Sequence, residues 1–182
     1  MKKAAILLAD GFEEIEAIVP YDLLKEAGIE TSLVSVQNQP TVTGTNGLEV
    51  KADANLDGFD FASQDALVVP GGAGYEILKA NPVVIEQIKA FAANPEKVLG
   101  AICAGSSILG DLGLYKGKDY TCVPGLNGAF GGHFEKKHAV VDGNIVTGIS
   151  AGGAFEFAFD LVEKLAGKKE KDKLEKQTCY KL

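Results

Sequence analysis

The chain has 182 residues, of which 46% are hydrophobic and 24% charged, and its formal net charge is −7. This length and composition are typical of a globular protein, and we expect a single domain over residues 1–182. The negative charge disfavours binding to nucleic acid or to an anionic membrane, because both need clustered cations. All eighteen cationic side chains are lysine, so the sequence excludes an arginine clamp for carboxylate or phosphate groups.

The first part of the chain alternates between predicted strands and helices. A continuous apolar run at 3–9 predicts a buried strand. Apolar residues then recur near helical spacing through 13–28, which ends in a glycine typical of a helix stop. Residues 29–36 predict a second strand. Segment 39–48 has a proline, two glycines and an Asn-Gly pair among β-branched residues, which indicates a small hairpin excursion.

The rest of the chain repeats this alternation. The predicted elements are a strand at 65–69, a helical stretch at 75–93, a strand at 97–102, a helix at 104–113, a hairpin at 138–148 and an amphipathic helix at 154–167. The glycine-rich segment 115–134 has no clear assignment, and the polar tail at 169–182 predicts a solvated helix or a frayed end. Strands that alternate with helices predict an α/β fold with a doubly wound, mostly parallel sheet.

Cys103 follows one predicted strand and precedes a predicted helix. Ligands of open α/β sheets lie outside the carboxyl ends of the strands. The residues two positions before and after it, Ala101 and Gly105, are small, as in a nucleophile elbow, where a sharp turn strains the φ angle of the nucleophile. The N–H groups that begin the helix would stabilise a thiolate by roughly 1 kcal/mol. The alternative is a buried, inert cysteine.

Three carboxylates, Glu13, Glu14 and Glu16, lie at the start of the first predicted helix. Acidic residues are favourable at a helix N-terminus, so this cluster could have no further role. Glu16, however, lies in line with Pro20 and Leu23 at the edge of the apolar face, where an acid is costly unless it is neutral or paired. A protonated carboxyl there could donate a hydrogen bond to a sulfur, whereas an ionised one would repel a thiolate.

A glycine turn, "VVPGGAG" at 68–74, follows another predicted buried strand. Adjacent parallel strands end at the same edge of a sheet, so the backbone N–H groups of Gly72 and Ala104 could converge as an oxyanion hole. The alternative is that the glycines only permit the turn.

In their order and spacing, "GFEEIEA", "VVPGGAG", "AICAG" and "AFEFA" are similar to the motifs of the ThiJ/PfpI superfamily, in the branch of the parkinsonism-associated deglycase. The resemblance covers the chain up to about Gly167. It implies a flavodoxin-like three-layer sandwich, a homodimer, and an oxidation-prone cysteine at the elbow with a protonated glutamate that donates to its sulfur. These roles fall on Cys103 and Glu16, and Gly72 and Ala104 would supply the backbone donors.

The chain departs from this family pattern at two places. Relatives with a catalytic histidine have it just before a proline, where this chain has Val123. Where the human-type branch has Arg-Gly-Pro, residues 149–151 read Ile-Ser-Ala. His133 and His138 both lie farther along the chain, and His133 is kept as a candidate accessory residue. A protease with a Cys–His dyad is therefore not expected.

The three cysteines, Cys103, Cys122 and Cys179, are odd in number and irregularly spaced. This pattern fits neither a disulfide framework nor a zinc site, and it favours a reducing, cytoplasmic location without a bound metal. Cys122 is either a packing residue at a strand end or a resolving thiol that reacts with an oxidised Cys103. Cys179, in the polar tail, is expected to be incidental.

Two functions remain open at this stage. In the first, the Cys103 thiolate adds to a reactive aldehyde such as methylglyoxal, or to a glycation adduct, and Glu16 moves the proton without any cofactor. In the second, the protein is a redox sensor or chaperone whose Cys103 oxidises to a sulfinate without turnover. A flavin or nucleotide site is not expected, because the turn after the first strand is acidic and has a single glycine.

Overall fold

The computed structural model describes residues 1–180. The strands are β1 (Lys3–Leu8), β2 (Glu30–Ser35), β3 (Thr41–Thr43), β4 (Glu49–Lys51), β5 (Ala54–Asn55), β6 (Ala66–Val69), β7 (Val98–Ile102), β8 (Asp119–Tyr120), β9 (His133–Phe134), β10 (Ala139–Asp142) and β11 (Ile145–Gly148). The helices are α1 (Glu14–Glu26), α2 (Tyr75–Ala80), α3 (Pro82–Ala93), α4 (Ala104–Asp111), α5 (Ala154–Ala166) and α6 (Lys168–Gln177), and a 3-10 turn (Ala151–Gly153) precedes α5.

The central sheet has seven strands in the order β10-β11-β7-β6-β1-β2-β5. All neighbours pair in parallel except β10, which is antiparallel to β11 at one edge. When the edge strands β5 and β10 are left out and the other five strands are renumbered along the chain, the order across the sheet is 2-1-3-4-5. This is the strand order of flavodoxin-like folds. The predicted mostly parallel α/β sheet is confirmed.

Helices cover both faces of the sheet, because the central strands are apolar on both sides. In β1, for example, Ile6 packs into the core shared with α1, α5 and α6, whereas Leu7 packs into the core shared with α2, α3 and α4. Both side chains are fully buried. The arrangement is the expected three-layer sandwich.

The hairpin and the long helical stretch differ from the prediction in detail. The antiparallel pair β3–β4 forms the expected excursion and extends to Lys51. The stretch at 75–93 is two helices, because Pro82 has no N–H with which to continue α2. Asn81 instead caps α3, and its side chain accepts hydrogen bonds from the N–H groups of Val83 and Val84 at 3.0 and 3.3 Å.

The polar tail is more ordered than the sequence indicates. Helix α6 packs on α5 through Leu174, which is fully buried. Lys171 Nζ also lies 2.7 Å from Asp160 Oδ1 and 2.8 Å from Glu163 Oε2. Most of the tail is therefore a docked helix, and residues 181–182 of the predicted tail lie outside the described part. Within residues 1–180, none of the helices has the length and apolar character needed to cross a bilayer.

Candidate active site

Cys103 occupies the sharp turn between β7 and α4. Its φ of 59° and ψ of −127° put a residue with a side chain in a region that normally favours glycine, at a cost of roughly 1–3 kcal/mol. The turn is held by a 2.9 Å hydrogen bond from the Cys103 N–H to the Gly148 carbonyl. A Cβ at Gly105 would collide with the carbonyl oxygens of Val69 and Pro70. The backbone thus has the strain and the small neighbour expected of a nucleophile elbow.

Glu16 lies in the first turn of α1 and its side chain is fully buried. Its Oε2 accepts a hydrogen bond of 2.9 Å from the backbone N–H of Gly71. Its Oε1 has no hydrogen-bond partner among residues 1–180. A buried carboxyl oxygen without a donor is costly, so this oxygen is suited to carrying or receiving a proton.

Gly71 is the residue that allows Glu16 and Cys103 to approach each other. A Cβ at this position would lie 2.7 Å from Glu16 Oε2 and 2.8 Å from both Cys103 Cβ and the backbone nitrogen of Ala104. Distances this short leave no room for any side chain. Gly71 is the first glycine after β6, but the predicted oxyanion donor in this turn is Gly72, so the sequence-based prediction does not include Gly71.

The Glu16 carboxyl and the Cys103 thiol titrate as a pair. Burial raises the pKa of Glu16 to about 7. Burial, and after it the neighbouring Glu16 carboxylate, raises the pKa of Cys103 to about 12. This is opposite to the effect expected from the helix terminus alone, because burial and the nearby carboxylate outweigh it. The pair therefore releases one proton near neutral pH and keeps the second between the carboxyl and the thiol.

The two predicted backbone donors lie in different surroundings. The N–H of Ala104 faces the Cys103 sulfur and favours its ionised form. Gly72 has a φ of 80°, and a Cβ there would collide with the nitrogen of Glu13. Gly72 is thus needed for the turn itself, which is the alternative role that the sequence suggests for these glycines. Its role as an oxyanion donor together with Ala104 stays a prediction.

Ser150 is a polar neighbour of the thiol that the sequence analysis noted only as a departure from the family pattern. The Cys103 thiol donates a hydrogen bond to Ser150 Oγ, with 3.8 Å between the sulfur and the oxygen. The two residues are separated by 47 positions in the chain. Their proximity depends on β7 and β11 being neighbours in the sheet, so no local pattern could reveal it.

Cys122 and Cys179 differ in exposure and neither is in a disulfide. Cys122 is fully buried, and its Sγ donates to the backbone carbonyl of Cys103 over 3.3 Å. Burial raises its pKa to about 11. Its sulfur thus contacts the backbone of Cys103, and the resolving role stays a prediction. Cys179 is exposed.

Both histidines contact carboxylates near the surface. His133 Nδ1 lies 3.2 Å from Asp119 Oδ1, and His138 Nδ1 lies 2.9 Å from Glu156 Oε1. No contact of either imidazole with Cys103 is present among the described residues. The accessory role of His133 therefore has no geometric support.

Val123, at the position of the family histidine, packs against the core on the α2, α3 and α4 side. It contributes no polar atom from its side chain. In the part of the chain that the structure describes, no group of three or more His, Cys, Asp or Glu side chains is arranged to hold a metal ion.

Comparison with known proteins places this fold and site in a family. The model of the DJ-1/PfpI family matches residues 2–164. The chain is 36% identical to the "Putative cysteine protease YraA" of Bacillus subtilis, over 80% of this chain and 88% of that protein. It is 34% identical to the "Deglycase PH1704" of Pyrococcus horikoshii, again over 80% of this chain and 88% of the relative.

A solved structure agrees over the whole length. The crystal structure of a mutant of the DJ-1 superfamily protein STM1931 from Salmonella typhimurium superposes with a TM-score of 0.93 and 34% identity, covering 100% of both chains. The family model spans the positions of Glu16, Gly71 and Cys103. The chain therefore belongs to the DJ-1/PfpI family.

Proposed function

We propose that the protein is a cysteine enzyme that converts reactive aldehydes such as methylglyoxal, or the early glycation adducts they form with amines, into hydroxy acids. The observation that carries this proposal is the Cys103–Glu16 pair. A strained, half-buried thiol adjoins a fully buried carboxyl whose Oε1 has no partner among residues 1–180. The Cys103 thiol is the neighbouring side chain that can exchange a proton with this carboxyl.

In the first step, Cys103 Sγ attacks the aldehyde carbon. The sulfur–carbon bond forms as the carbonyl π-bond opens. The thiol proton passes to Glu16 and then to the new alkoxide oxygen, which gives a neutral hemithioacetal. The N–H groups of Ala104 and Gly72 are the proposed donors to that oxygen while it is charged.

In the second step, the Glu16 carboxylate takes a proton from the carbon bonded to sulfur, which gives an enediolate, and delivers that proton to the adjacent carbon. The hydroxyl proton of the first carbon moves to the oxygen of the adjacent carbon. The hemithioacetal of methylglyoxal thereby becomes a lactoyl thioester. Water hydrolyses this thioester, which releases lactate and restores the thiol, so the net reaction is methylglyoxal plus water to lactate. With a glycation adduct, the Cys103 sulfur instead displaces the amine from the hemiaminal carbon: the carbon–nitrogen bond breaks, the thiol proton leaves on the amine nitrogen, and the same hemithioacetal forms. A carboxyl with a pKa of about 7 can take up and release protons at neutral pH.

One of the two named relatives supports the proposed activity, and the other is named for a different activity. The Pyrococcus relative is named a deglycase, in agreement with the proposal. The Bacillus relative is named a putative cysteine protease. A Cys–His protease mechanism fits this chain poorly, because Val123 stands at the family's histidine position and His133 and His138 pair with surface carboxylates.

The proposal also covers the cellular location, the oligomeric state and the binding partners of the protein. Three free cysteines suit a reducing compartment, so we place the protein in the cytoplasm. The resemblance to the family supports a homodimer. The net charge of −7 makes nucleic acid and anionic membranes poor partners.

The second candidate function is a redox sensor or chaperone without turnover. The N–H of Ala104 and the hydroxyl of Ser150 face the Cys103 sulfur and could stabilise a sulfinate. The raised pKa of Cys103, however, disfavours spontaneous oxidation, because the thiolate is the form that reacts. The enzyme does not need a permanent thiolate, since Glu16 can accept the proton during the attack.

The test counts lactate molecules produced per molecule of protein. Wild type is incubated with excess methylglyoxal, and Cys103→Ala supplies the background. We expect many lactate molecules per wild-type protein and none above background from the variant. One aldehyde bound to each Cys103 without lactate formation would overturn the enzymic proposal and leave the sensor as the better account.

A further inference from the structure

Ser150 lies in the loop between β11 and α5, beside the candidate nucleophile. Its backbone is extended, with φ −176° and ψ −174°, and is fixed on both sides. The N–H of Ile149 donates to the carbonyl of His138 over 3.0 Å, and the carbonyl of Ser150 accepts from the N–H of Gly153 over 2.8 Å. The loop therefore holds the Ser150 hydroxyl at a set position relative to Cys103.

Three groups from three different elements surround the Cys103 sulfur. Glu16 approaches from α1, the N–H of Ala104 from the start of α4, and Ser150 from the loop after β11. Glu13, just before α1, is the other carboxylate that acts on Glu16. A carboxylate only accepts hydrogen bonds and a backbone N–H only donates them, whereas the Ser150 hydroxyl can accept one from a thiol and donate one to a thiolate.

The loop supplies contacts that the Arg-Gly-Pro run of the human-type branch lacks at these positions. Glycine at the position of Ser150 has no side chain, and proline at the position of Ala151 has no N–H. In this chain the Ser150 hydroxyl reaches the sulfur. The N–H of Ala151 faces the Glu16 carboxyl and favours its ionised form.

We infer that Ser150 is a catalytic residue of this site, whose hydroxyl stabilises the negative charge that develops on the Cys103 sulfur. In the resting state the hydroxyl accepts the hydrogen bond of the Cys103 thiol. When Glu16 takes the thiol proton, the hydroxyl rotates and donates its own hydrogen to the negatively charged sulfur. No bond to Ser150 is made or broken. This inference rests on the proposed function, because it assumes the same Cys103–Glu16 pair.

The test follows the rate at which iodoacetamide alkylates Cys103 as pH is raised. All variants carry Cys179→Ser, because Cys179 is exposed and would react as well. Ser150→Ala is expected to move the midpoint of the titration upward by about one pKa unit, which lowers the rate below the midpoint about tenfold. Ser150→Thr keeps a hydroxyl and is expected to remain close to wild type.

Two further variants exclude a merely structural effect. Ser150→Gly removes the hydroxyl by introducing the residue of the Arg-Gly-Pro run, and it should shift the midpoint as Ser150→Ala does. Ser107→Ala removes a buried hydroxyl that donates to the carbonyl of Ala104 over 2.7 Å, and it should leave the midpoint unchanged. An unchanged midpoint in both Ser150→Ala and Ser150→Gly would overturn the inference.

The alkylation titration needs no turnover, so its failure differs from failure of the proposed function. A shifted midpoint in a protein that makes no lactate would support Ser150 as a donor to the sulfur and reject the aldehyde chemistry. Lactate formation with an unshifted midpoint would support the aldehyde chemistry and reject Ser150 as a donor to the sulfur. Where both hold, Ser150→Ala is expected to lower kcat several-fold with little change in KM, since the hydrogen bond strengthens only as charge develops on the sulfur.

Discussion

Replacing Glu16 by glutamine is expected to lower kcat/KM for methylglyoxal by about 10²- to 10⁴-fold, which is the usual contribution of a positioned acid–base group. Glutamine has nearly the same size, and its carbonyl oxygen can still accept the hydrogen bond from the Gly71 N–H. It cannot take the thiol proton or return it. The measurement is the initial rate of lactate formation at neutral pH.

Glu14→Gln is the matched control for this variant. Glu14 belongs to the same acidic cluster, but its Oε1 accepts from the N–H of Asn46 over 2.6 Å, and it therefore anchors the hairpin turn after β3. We expect Glu14→Gln to keep a rate close to wild type. Equal losses in both variants would indicate that the cluster acts only through its total charge, contrary to the proposed role of Glu16.

Gly71→Ala is expected to lower kcat/KM about 100-fold while the protein still folds. The new Cβ would lie 2.7–2.8 Å from Glu16 Oε2 and Cys103 Cβ, so one member of the pair must move. A displacement of about 1 Å in an active site can cost that much in rate. Overpacking should also lower the free energy of unfolding by roughly 1–3 kcal/mol, which urea denaturation would measure.

Gly152→Ala is the control for the added methyl group. Gly152 lies in the 3-10 turn before α5, and a Cβ there would meet no atom within 4 Å. Its rate and stability are expected to stay close to wild type. Wild-type kcat/KM in Gly71→Ala would contradict the close approach on which the Cys103–Glu16 pair depends.

The features that the sequence predicts well depend on local patterns. Apolar runs of strand length and helical spacing specify which residues are buried, and therefore the three layers of the fold. The small residues beside Cys103 reflect a steric requirement of one turn. Leu174 shows the limit of such patterns, because one apolar residue in a polar segment does not reveal that α6 docks on α5.

The site depends on contacts between distant parts of the chain. Gly71 meets a carboxyl 55 positions away, and Ser150 meets a thiol 47 positions away. Local sequence patterns therefore cannot predict either contact. The raised pKa of Cys103 was missed for the same reason, because the helix terminus is visible in the sequence whereas burial and the carboxylate on α1 appear only in the folded chain.

The central claim is that Cys103 and Glu16 share one proton near neutral pH. The most direct measurement is the pH dependence of Cys103 alkylation in wild type and in Glu16→Gln, both with Cys179→Ser. In wild type the thiol ionises against both burial and the Glu16 carboxylate, so the midpoint should lie well above that of an ordinary cysteine. In Glu16→Gln the carboxylate no longer opposes ionisation of the thiol, so the midpoint should move downward, toward that of an ordinary cysteine. The same midpoint in both proteins would contradict the account.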